Sequence, residues 1–139
     1  MSLPDWEPGT VAVLSTGAGA PHAIPVSTAV KTGPDTILLA LSRRRETLVR
    51  LREDARCALT LFGPDDLTIT ALATATVIQE PMEAAARVVA IRLDVHEVQD
   101  HWQPGFAIEA GVRWHWTDPE AEQADATVRA ALQALGEAA

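Results

Sequence analysis

The chain carries a single cysteine, Cys57, so no internal disulfide can form, and a reducing cytoplasm is the expected setting. Cys57 lies in the strand-like run "RCALTLF" and reads as a small buried hydrophobe rather than a nucleophile. Basic residues are scarce: 11 Lys+Arg stand against 19 Asp+Glu, a formal net charge of −8. That balance excludes the broad positive field that non-specific binding to nucleic acid or an anionic membrane needs. No apolar run approaches the ~20 residues that span a bilayer. The opening "MSLPDWEPGT" lacks the basic patch and apolar stretch of a secretion signal. Nucleotide, metal and nucleophile signatures are missing too. "GAGAPH" fails as GxGxxG because His22 fills the last glycine position and no helix follows, so it reads as a hairpin turn. His22, His96, His101 and His115 form no dense ligand pattern; only His101 and His115, facing across a hairpin, would merit a test, and no metal is expected. No Ser-His-Asp arrangement can be assigned.

What is present has mostly a period of two. "LTITALATATVI" sets Leu67, Ile69, Ala71, Ala73, Ala75 and Val77 on one face, with Thr68, Thr70, Thr74 and Thr76 opposite. "VAIRLDVHEV" repeats the pattern through Val89, Ile91, Leu93 and Val95, and "GVRWHW" through Val112, Trp114 and Trp116. "TVAVLS", "TILLAL" and "RCALTLF" read as more deeply buried strands. Turns are expected at 16–21, 31–35, 63–66 and 103–105. Closely spaced strands joined by short turns predict a mainly β fold with α-helices added, a small antiparallel barrel within one domain over 1–139. A hydrophobic share of 47% supports a real core. Asp118 as N-cap and Pro119 at the first position predict a helix over about 119–137, its stripe formed by Ala121, Ala124, Val128, Ala131, Leu132 and Leu135. "PMEAAAR" predicts a shorter helix near 81–87. Trp102, Phe106, Trp114 and Trp116 read as core or subunit interface, not as a stacking platform for bases.

The scarce positive charge is concentrated. Arg43, Arg44, Arg45, Arg50, Arg52 and Arg56 all fall between positions 43 and 56, in "LSRRRETLVRLREDAR". A helix is expected there, capped by Ser42 and seamed by Leu48, Leu51 and Ala55. Arginines in its first turn oppose the helix dipole at ~0.3–1 kcal/mol each. A bound anion would reverse that penalty. The competing reading is a solvated face, with Arg50 and Arg52 paired to Glu46, Glu53 and Asp54.

The order "PHAIPV", turn, "TILLAL", helix, "DARCALTLF", then "LATATVIQEP" and "GVRWHW", covers most of residues 8–117. In that order the chain resembles the pyridoxamine 5′-phosphate oxidase-like, FMN-binding split-barrel family. The resemblance implies an antiparallel split β-barrel, a homodimer with FMN at its interface, and a flavoprotein oxidoreductase acting on a small-molecule substrate. Carried across, the cofactor phosphate falls near Leu41, Ser42, Arg45 and Thr47, and Pro25, Val26, Ser27 and Thr28 lie along the flavin ring. Where many relatives carry a basic pair this chain has Glu46-Thr47, and Arg44 with Arg45 is expected to supply the charge. The alternatives are an F420-dependent reductase of the same fold, or a non-catalytic flavin- or haem-binding protein. Catalytic side chains are not identified.

Overall fold

The computed structural model describes residues 2–138. Seven antiparallel strands form one sheet in the order β2-β1-β5-β6-β7-β4-β3. They are β1 (Ala12–Thr16), β2 (His22–Val26), β3 (Val30–Gly33), β4 (Thr36–Ser42), β5 (Arg56–Gly63), β6 (Leu67–Gln79) and β7 (Val88–Asp100). Helix α1 (Glu46–Glu53) crosses from β4 to β5, and α2 (Pro119–Ala138) ends the described chain. The sheet coils around Leu14, Ile37, Leu39, Leu59, Leu61, Ile91 and Leu93, all fully buried. Its edge strands β2 and β3 follow one another in the chain, yet no ladder joins them among the described residues. The barrel is therefore split there.

The period-two faces mostly behave as the pattern requires, and β7 shows a physical exception. In β6, Ile69, Ala71 and Ala73 point inward, and Leu67, Ala75 and Val77 pack against them. In β7, Val89, Ile91 and Leu93 do the same, but the register with β6 shifts between Leu72 and Ala73, where Val95 and Glu97 are the successive partners. The bulged residue, His96, changes the parity of the strand, and Val98 rather than Glu97 becomes buried. A second cluster lies outside the barrel. Leu38 and Ala90 point outward and meet Val128 and Leu132 of α2, with Met82 beneath. Asp118 caps α2, accepting the Glu120 N–H at 3.0 Å.

Three expected elements differ. Residues 81–87 form a tight turn instead of a helix: the Met82 N–H donates to the Val88 carbonyl at 2.9 Å, and that of Ala85 to the Met82 carbonyl at 3.2 Å. Alanine propensity yields because the chain must return from β6 to β7 in a few residues while Met82 is buried under α2. "GVRWHW" is no strand, since the sheet offers it no partner. The segment 101–117 runs outside, held by single contacts such as Trp114 Nε1–H to the Gly9 carbonyl (3.0 Å) and the Ile108 N–H to Asp66 Oδ1 (2.7 Å). It makes no hairpin between His101 and His115; His101 shares a hydrogen bond with Thr70 instead (2.8 Å). Finally, α1 starts at Glu46 with Arg45 as its N-cap and no side-chain cap, so Ser42 closes β4 rather than capping the helix.

Candidate functional site

The split in the barrel creates the site. Strand β3 pairs with β4 only from Gly33↔Thr36 to Val30↔Leu38, so the end of β4 runs past it. Thr28 fills the first position left open: its hydroxyl donates to the Ala40 carbonyl at 3.3 Å and accepts the Ala40 N–H at 3.1 Å. Backbone groups alternate along an antiparallel strand, so Ser42, two residues on, turns its N–H to that same open side. Around this gap lies a cleft of about 170 Å³ lined by Pro25, Val26, Ser27, Thr28, Ala40, Leu41, Ser42 and Arg45. Pro25 sits on β2, an edge strand bonded only to β1, where its missing N–H breaks no ladder.

The cleft thus gathers Pro25, Val26, Ser27, Thr28, Leu41, Ser42 and Arg45 from the predicted set and adds Ala40. Ala40 was legible only as an inner residue of "TILLAL". Arg44 and Thr47 do not line it. Arg44 is exposed, its N–H 3.4 Å from Ser42 Oγ. Thr47 is 1% exposed and shares a 3.1 Å hydrogen bond with His22 Nε2, tying α1 to the β1–β2 hairpin.

The arginines separate into two groups. Arg50 is structural: its Nη1 donates to the carbonyls of Ala18 (2.7 Å) and Ala20 (2.6 Å), and its Nη2 to Glu46 at 3.3 Å. Arg52 pairs with Glu80 across the gap to the β6–β7 turn, not with a neighbour on its own helix. That bond holds the Glu80 carboxyl below its ordinary range. Arg56 pairs with Asp54, whose carboxyl drops to about 2 because of the hydrogen bond from that guanidinium. Arg43, Arg44 and Arg45 are exposed and have no ion pair among the described residues. They lie in the turn before α1, with Arg45 at the N-cap, and Glu46 occupies the first helical turn with the sign that favours the dipole.

Chemically the cleft is a donor set. The Ser42 hydroxyl and N–H and the Arg45 guanidinium are what a phosphate takes, and neither a carboxylate nor an imidazole lines the wall. Among the described residues no group of His, Cys, Asp and Glu is arranged to hold a metal ion. No helix there is long and apolar enough to cross a membrane.

No protein-family model matches the sequence, and no curated protein matches it. Solved structures do match the fold. An F420 reductase superposes with a TM-score of 0.58 at 11% identity, over 67% of this chain and 91% of its own. A Lactobacillus delbrueckii protein assigned provisionally as a pyridoxamine 5′-phosphate oxidase gives 0.55 at 20% identity, over 66% and 84%. The flavin reductase PheA2 gives 0.53 at 13% identity, over 68% and 81%. The chain has the split-barrel fold of the pyridoxamine 5′-phosphate oxidase-like proteins.

Proposed function

We propose that this protein binds a phosphate-bearing flavin-type cofactor, FMN being the smallest that satisfies the site, and serves as an oxidoreductase. The observation that carries this reading is the cleft at the end of β4, where Ser42 and Arg45 offer phosphate donors beside the 25–28 corner. An acidic chain that leaves Arg43, Arg44 and Arg45 without ion pairs among the described residues favours an anionic ligand there. The residues fit the phosphate end of such a cofactor. At about 170 Å³ the cleft is smaller than the ~300–1,000 Å³ of sites that enclose whole ligands. The ring would therefore extend past Pro25 and Val26 toward a second copy of the chain.

A homodimer is the natural complement. Trp102, Phe106 and Trp114 are 43%, 46% and 40% exposed, which takes them out of the core and supports a role in an interface. When bound, the cofactor supplies the electron transfer. This chain's part is then to anchor the phosphate through Ser42 and Arg45, and to set the ring plane with the rigid Pro25–Thr28 corner that Thr28 ties to Ala40. That division of labour suits a cleft wall lined, among the described residues, by no carboxylate, imidazole or thiol.

The likeness to an F420 reductase favours a second reading, a deazaflavin in the same cleft. A haem or flavin carrier without turnover is the non-enzymatic form. The visible spectrum and mass of the species that co-purifies separate them, followed by reduction with a pyridine nucleotide. Reducible flavin with turnover of an acceptor supports the oxidoreductase. A tightly held but irreducible ligand makes the protein a carrier.

A further inference from the structure

Ser42 and Arg45 share the cleft but are held in different ways. Ser42 ends β4 and is fixed by the ladder with β7, where it pairs with Val88. Arg45 lies beyond that ladder. Its N–H donates to the Ser42 carbonyl at 3.0 Å, and its own carbonyl accepts the Leu48 N–H at 3.1 Å, so Arg45 moves with the first turn of α1. No side chain caps that turn. Leu48 and Leu51 seat the helix on the core, and Arg50 bonds it to the Ala18 and Ala20 carbonyls. The polar tie from the first turn to the sheet is made by Thr47, whose buried hydroxyl meets His22 Nε2 at 3.1 Å. Glu46 Oε2 stands 3.9 Å from Nδ1 of the same ring.

His22 opens β2, the strand whose other end supplies Pro25 and Val26 to the cleft. Strands β2 and β4 share no ladder, so the His22–Thr47 bond spans the split between the two walls. A competing hydroxyl lies nearby. Thr16 is the register partner of His22 in the β1–β2 ladder, a relation that sets the two Cβ atoms ~4.5–5.5 Å apart. Thr16 is 5% exposed, and its Oγ1 has no partner among the described residues. Leaving a buried hydroxyl unpaired is costly, yet the imidazole is turned to the helix.

We infer that the His22–Thr47 hydrogen bond positions Arg45 for the anion, which makes His22 and Thr47 positioning residues of a cleft that neither of them lines. This rests on the phosphate reading of the cleft. Ser42 takes its place from the sheet, whereas Arg45 takes its place from the first turn of α1, and the imidazole fixes that turn against the strand of Pro25 and Val26.

The test measures FMN and riboflavin affinity on the full chain for wild type, Thr47→Val, Thr47→Ser, Arg45→Ala and the double variant Arg45→Ala/Thr47→Val, with thermal melts to check folding. Thr47→Val removes one neutral hydrogen bond, so it should weaken FMN ~3-fold to 10-fold and riboflavin by less than about twofold. Thr47→Ser keeps the hydroxyl and should restore the wild-type FMN constant. In the Arg45→Ala background Thr47→Val should move FMN by less than about twofold, because the side chain it positions is gone. His22→Ala removes the same bond from its half-buried end and carries the same expectations if Thr47→Val does not fold. A full effect that persists without Arg45, or an equal weakening of riboflavin, would make the bond merely structural and overturn the inference. An FMN constant raised by Arg45→Ala but indifferent to Thr47→Val and His22→Ala would overturn it and leave the phosphate reading standing. No FMN binding by the wild type, or no effect of Arg45→Ala, would remove both.

Discussion

Replacing Arg45 by alanine should weaken FMN far more than riboflavin. Arg45 lines the cleft beside Ser42, is exposed, and makes no ion pair among the described residues. As the residue before α1 it also makes no side-chain cap, so folding loses nothing when the guanidinium goes. Its value lies in the ligand. A charge-assisted hydrogen bond to a phosphate contributes ~1.5–3 kcal/mol, which is about 10-fold to 150-fold in the FMN dissociation constant. Riboflavin, which lacks the phosphate, should change less than about twofold. Flavin fluorescence quenching measures both constants, and a thermal melt checks that the variant is folded. A solvated-face role predicts no change for either ligand. Equal weakening of both would mean that Arg45 touches the ring or supports the fold, and the phosphate assignment would be wrong.

Arg50→Ala should behave in the opposite way. It removes donors to the Ala18 and Ala20 carbonyls and the pair with Glu46, so unfolding by urea should show a loss of ~1.5–3 kcal/mol; a loss near zero would contradict the structural role. Leu132→Ala opens a cavity between α2 and Leu38, Met82 and Ala90, and should cost ~2–5 kcal/mol in the same assay. An unchanged midpoint would mean that α2 is not docked on the sheet. Burial pushes the Cys57 thiol from its ordinary 9.0 to about 12. The folded state therefore keeps a proton that the unfolded chain releases, so stability is intact below pH 9 and falls as pH rises toward 12. At pH 10.5 this linkage amounts to roughly 2 kcal/mol relative to Cys57→Ala, and parallel pH profiles for the two proteins would refute it.

The strands were legible because a half-buried sheet writes its two faces into alternate residues. Ile69, Ala71 and Ala73, and Val89, Ile91 and Leu93, needed nothing else. The bulge at His96 left no mark, since one extra residue in a long alternating run is visible only against the partner strand. "GVRWHW" shows the reverse error: alternation without a neighbouring strand makes no ladder, and the sequence does not reveal which edges are free. Residues 81–87 carried helix propensity, but a short return path and the burial of Met82 decided the outcome. At the cleft, the corner 25–28 and Leu41, Ser42 and Arg45 came from the family resemblance that the order of motifs carries. Thr47 shared that order, yet its hydroxyl turns to His22, a partner from another hairpin that spacing along the chain does not show.

Titrating FMN into the full chain while recording backbone amide shifts tests the central claim most directly. Saturable binding with the largest shifts at 25–28 and 40–45, centred on Ser42 and Arg45, is the predicted result. No binding, or shifts centred instead on the cleft lined by Trp6, Asp65 and Asp100, would contradict it.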